Sequence, residues 1–114
     1  LIMKQKETFE QKVKKAGSIE NYWTNQARFN LVNSTIVKVE YMPQEEVKEL
    51  GWYNSPLCIL LENPIGERFW IYPSRDDEGN DGGSLFTTIK EYPCAPTLYK
   101  NNPIEYKLNN YESK

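Results

Sequence analysis

The apolar positions of this chain change their period as it is read. Between residues 3 and 16 they are sparse, with Met3, Phe9, Val13 and Ala16 set among strong helix formers, which predicts a largely exposed helix ending at Gly17. Ser18 then stands where a helix cap belongs. Ile19, Tyr22, Trp23, Gln26 and Ala27 recur at helical spacing, and all but Gln26 are suited to face a core, so a second helix is expected with its aromatic stripe against a sheet. From Val37 the period falls to two. Val37, Val39 and Tyr41 alternate with Lys38 and Glu40, which places the first three on a buried face and the charged pair opposite. Pro43 to Gly51 returns to helix, with Pro near the first position, acids in the first turn and Gly past the end; Val47 and Leu50 would pin it to the sheet.

Leu57 to Leu61 is apolar at every position and fits a buried strand. Glu62 to Glu67 carries the Asn, Pro and Gly of a hairpin connection, and Arg68-Phe69-Trp70-Ile71-Tyr72 would return antiparallel until Pro73 ends it. Leu85 to Ile89 makes another short strand. Pro93 and Pro96 leave residues 92–99 extended or irregular, and Ile104, Tyr106 and Leu108 alternate in a polar tail that can add an edge strand. The pattern amounts to an α+β domain over residues 1–114: helical at 1–30, a sheet core at 33–99 and a polar tail at 100–114. Its amino-terminal helices pack on one face of an antiparallel sheet of about four or five strands.

Composition narrows the function classes. Eight Tyr, four Phe and three Trp in 114 residues argue for a folded chain, since disordered segments are poor in aromatics. The net charge of −2 gives no overall attraction for nucleic acid or an anionic membrane. The first helix is locally basic, which reads as a solvated face because its apolar stripe is too thin to insert. No apolar run approaches membrane-spanning length, and the start of the chain lacks a signal-peptide pattern, so a cytoplasmic location is expected. The two cysteines, Cys58 and Cys94, have no metal-ligand spacing and make no disulfide framework; Cys58 reads as core. With no histidine, the usual general base, zinc ligand and triad partner are missing, and no phosphate-binding glycine loop of standard form occurs.

One stretch departs from this ordinary background. Between Pro73 and Phe86 stand Arg75, Asp76, Asp77, Glu78, Asn80 and Asp81 with Gly79, Gly82 and Gly83, a local charge of −3. The spacing fails as an EF-hand: from Asp77 the third position is Gly79 and the twelfth is Thr88. A non-standard Ca²⁺ or Mg²⁺ site can still be written with Asp76, Glu78, Asn80 and Asp81 as ligands. Arg75 offers a fork for a carboxylate or phosphate, with Tyr72, Trp70 or Trp52 stacking on the ligand. The plainest reading is a turn in which Asp and Asn bond their own backbone and the glycines take positive φ. Four acids and three glycines exceed what a mere connection needs, which favours a binding role.

The run Glu-Leu-Gly-Trp at 49–52, followed by Ile-Tyr-Pro-Ser-Arg-Asp-Asp-Glu-Gly-Asn-Asp-Gly-Gly-Ser-Leu-Phe at 71–86, resembles small uncharacterised proteins of bacteria and their phages that share the Pro-Ser-Arg-Asp-Asp-Glu-Gly-Asn-Asp-Gly-Gly-x-Leu-Phe signature. The resemblance covers roughly residues 33–98 and leaves out the two amino-terminal helices and the tail. It implies a compact domain with a purposeful loop and brings no activity with it.

The resulting expectation is a small non-enzymatic binding module whose loop at 73–86 and flanking aromatics Trp52, Trp70 and Tyr72 contact a small polar ligand, a cation or a protein partner. Two alternatives stand beside it. One is a Mg²⁺-dependent hydrolase or nucleotide-processing enzyme with the loop acids as metal ligands and metal-bound water in place of a histidine base. The other is a structural or assembly subunit, homo-oligomeric or joined to another protein, with Trp52 and Tyr53 in its interface.

Overall fold

A computed structural model describes residues 6–99, and they form an α+β architecture in which every strand pairing is antiparallel. The edge strand expected in the polar tail and the apolar position at Met3 lie outside the described residues. The first helix, α1 (Phe9–Ala16), opens with a reciprocal capping box between Thr8 and Gln11 and closes at Gly17 in the left-handed conformation. Ser18 caps α2 (Ile19–Leu31), its Oγ accepting from the Asn21 amide at 3.0 Å. The aromatic stripe on α2 is met by α1: Phe9 lies 5.3 Å from Tyr22, edge to face, and 6.4 Å from Trp23. Neither helix contains a buried residue, and Trp23 stays 58% exposed, so the stripe is used inside a helical hairpin and not as a lid over the sheet.

Seven short strands follow among the described residues. The main sheet has the order β1 (Thr35–Tyr41), β3 (Leu57–Glu62), β4 (Arg68–Ile71), while β2 (Asn54–Ser55) pairs with β7 (Leu98–Tyr99) and β5 (Leu85–Ile89) with β6 (Tyr92–Ala95) in two separate ribbons. The β3–β4 hairpin is made by Asn63, whose Oδ1 accepts from the amides of Ile65 and Glu67 while its own amide donates to the Glu67 carbonyl. Residues 92–95 form a strand despite Pro93. In a two-stranded ribbon one side of each strand faces no partner, so the missing N–H of a proline there breaks no ladder bond.

In β1 an extra residue, Val37, separates two runs of pairing: Ile36 opposes Leu61, whereas Lys38 opposes Leu60 and Glu40 opposes Cys58. Directly opposed residues share a face, which puts Glu40, Cys58, Leu60 and Trp70 on the same side of the sheet. The helix α3 (Gln44–Glu49) packs over that side, and Met42, Val47, Trp52 and Cys58 form the core cluster beneath it. α3 therefore lies on the face carrying the charged residues of β1, while the opposite face still buries Leu61, at 7% exposure. Val37 and Val39, which alternation places on a buried face, are 40% and 54% exposed, because the helical hairpin does not close over them.

Candidate functional site

The loop from Pro73 to Phe86 is closed at its base. Ser74 and Gly82 form an antiparallel bridge, the Gly83 amide donates to the Pro73 carbonyl at 3.0 Å, and the Asp81 carbonyl accepts from both the Arg75 amide and Ser74 Oγ, at 2.9 and 3.1 Å. At the tip, Asp76 folds the chain around its own carboxylate. Its Oδ1 accepts from the amides of Glu78 and Asn80, and its Oδ2 from Asn80 Nδ2 at 2.9 Å. Gly79 takes the turn with φ at +74°, a conformation that costs glycine nothing. The Asn80 side chain and its amide, then the Glu78 amide and the Arg75 guanidinium, hold the Asp76 carboxyl below the usual carboxylate range.

Asp81 does the opposite and turns inward. It is 5% exposed, and its Oδ1 accepts from three amides, Tyr53 at 3.1 Å, Asn54 at 2.9 Å and Gly82 at 2.8 Å, while Oδ2 accepts from Asn54 Nδ2 at 2.9 Å. Burial pushes this carboxyl up, and the donors from Asn54, Gly82 and Tyr53 more than reverse that, leaving it below its ordinary value. An ionised buried carboxylate is tolerable where several N–H groups converge on it, and here all but the neighbouring Gly82 amide come from Tyr53 and Asn54, at the start of β2. Gly82 makes the approach feasible. A Cβ at that position would lie 2.3 Å from the Asn54 carbonyl oxygen and 2.8 Å from Pro56 Cδ.

A second tie runs from the tip of the loop into the core. Trp52, 3% exposed, donates its Nε1–H to the Gly79 carbonyl at 2.7 Å, and its ring meets Tyr72 edge to face at 6.0 Å. Tyr72 and Trp70, both a little under half exposed, border a cleft of about 610 Å³ between α3 and the β3–β4 face. Its other walls include Met42 and Leu50 together with the acidic residues Glu40, Glu46 and Glu49. Beneath lies Cys58, whose thiol donates to the Pro56 carbonyl; burial first, then the negative charge of Glu46 and Glu40, pushes its pKa up to about 11.

The nominated residues thus separate into groups. Asp76, Glu78, Asn80 and Asp81 bond to one another or to backbone, with the carboxylates of Asp76 and Asp81 facing different partners. Among the described residues, no three His, Cys, Asp or Glu side chains are grouped to hold a metal ion. Arg75 and Asp77 are exposed, with the Arg75 guanidinium 3.9 Å from Asp76. Trp52 is core and cannot stack on a ligand, whereas Trp70 and Tyr72 come together at a cleft. Glu40, Glu46 and Glu49 were not singled out by the sequence: Glu40 reads as the solvent side of a strand, and the other two as ordinary surface acids of a short helix. No protein-family model, no curated protein and no solved structure matches this chain.

Proposed function

We propose that this protein is a non-enzymatic binding module that receives a small polar ligand, or a side chain of a partner, in the cleft bordered by Trp70 and Tyr72. The loop at 73–86 serves it as a brace. The observation that carries this reading is the continuous path from the loop to the cleft: Asp81 fastens residues 53 and 54, Gly79 fastens Trp52, and Trp52 sets Tyr72. A cleft of this size falls within the range of small-molecule sites, about 300–1,000 Å³, and mixes apolar walls with a few polar groups. Holding its wall from behind by a rigid loop reduces what binding must spend on ordering it.

The test is a two-dimensional NMR titration of the full chain with four separate probes at millimolar concentration: an alkylammonium, a carboxylate, a primary amide and an alcohol. At least one is expected to shift the Trp70 indole signal together with the amides of Glu46 and Leu50 while leaving α1 and α2 unmoved. If none of the four shifts those signals, the cleft is not a binding site and the reading fails.

A further inference from the structure

We propose that the cleft selects organic ammonium cations, an alkylammonium or its methylated form, with Glu40, Glu46 and Glu49 supplying the charge and Trp70 and Tyr72 the aromatic contacts. This rests on the binding reading above and names the ligand class of the same site. Three glutamates line the cleft and no Lys or Arg does. Glu40 is shared with Lys38, at 2.8 Å, but Glu46 and Glu49 form no ion pair among the described residues. Glu46 and Glu49, both exposed on α3, thus place two negative charges, without a counter-ion among the described residues, at the rim of the cleft.

The lining decides which cation fits. A hard divalent ion needs about six to eight oxygen ligands at close range, whereas the acids here are dispersed around an opening far larger than a bare ion requires. A cation spread over methyl or methylene groups gains from the residue types that line this cleft: Trp70, Tyr72, Met42 and Leu50 suit its carbon surface, and the glutamates suit its charge. The Cys58 thiol under the cleft resists ionisation first through burial, with the negative charge of Glu46 and Glu40 adding to it. An anionic ligand would meet these glutamates as repulsion.

Isothermal titration calorimetry of the full chain tests the assignment with choline, with its neutral isostere in which carbon replaces the charged nitrogen, with putrescine and with acetyl-lysine amide. Choline is expected to bind at least about ten-fold more tightly than the isostere at low ionic strength, with the gap narrowing as salt is raised. The double variant Glu46→Gln/Glu49→Gln should lose at least about ten-fold for choline and nothing for the isostere, and Trp70→Ala should lose about five-fold or more. Unchanged melting temperatures of the variants establish that they fold. Putrescine exceeding acetyl-lysine amide assigns the site to free oligoamines, and the reverse order assigns it to a lysine side chain of a partner; both support the inference. An isostere that binds as well as choline, or a double variant that binds choline as the parent does, overturns it and leaves the binding reading standing. Absence of heat with every probe, together with a silent NMR titration, removes both.

Discussion

The indole of Trp52 donates to the carbonyl of Gly79 across 2.7 Å, so a core side chain and the tip of the most charged loop in the chain are fastened directly to each other. Trp52→Phe keeps an aromatic ring but removes the donor and part of the volume. We expect a loss of about 1–3 kcal/mol in chemical denaturation, with amide exchange accelerated first at Glu78 and Asn80. The same variant should weaken whatever binds beside Tyr72, since Tyr72 rests on the Trp52 ring.

Asp81 gives the fold an acid-sensitive lock. Its carboxyl lies below its ordinary value when folded, so its contribution is fully present above the unfolded value of about 3.9 and is lost as pH falls through the lower folded value. Stability measured between neutral and acid pH should therefore drop along this limb, and Asp81→Asn should flatten it while costing about 1–3 kcal/mol at pH 7. Asp76 titrates in the same direction but is solvent-facing, so Asp76→Asn should alter the limb far less.

Gly82→Ala is the severest single substitution expected in the loop. Its Cβ would press on the backbone carbonyl of Asn54, and backbone on both sides is held by Asp81, so neither can yield; a loss above about 3 kcal/mol or failure to fold is predicted. Gly66→Ala makes the comparison. That glycine has φ at +89° but open space around it, so only the conformational cost of about 1–2 kcal/mol applies. Thermal melts that rank the two equally would contradict the crowding argument.

Cys58 should resist alkylation. With a pKa of about 11 only on the order of 0.1% of the thiol is ionised at pH 8, and the side chain is buried. Iodoacetamide followed by peptide mass mapping should modify Cys94, which is partly exposed, well before Cys58, and should reach Cys58 freely only in denaturant.

Much of the fold was legible because local signals agreed. Ser18 and Gly17 mark a helix boundary, Asn63 with Gly66 marks a hairpin, and both appear where the sequence puts them. The antiparallel α+β class followed from the same punctuation. The faces were harder to read. Alternation in β1 says which residues share a side, but not which side another element will cover, and α3 covers the side of Glu40 because Met42 and Val47 lie there. The stripe on α2 likewise shows a need for apolar contact without naming the partner, which proved to be Phe9. In the loop, residue types revealed an unusual structure, yet whether a carboxylate points outward to a ligand or inward to an amide depends on a strand 27 residues away.

The extra residue in β1 has a mechanical consequence. A load that pulls on α2 along the chain reaches β1 at Thr35, where the first pairs to β3 are Thr35 with Glu62 and then Ile36 with Leu61. At Val37 the register breaks, and the pairs from Lys38 to Tyr41 form a separate run. Val37 thus divides β1 into two separately paired runs, and Glu40, which lines the cleft, belongs to the run farther from the helical hairpin.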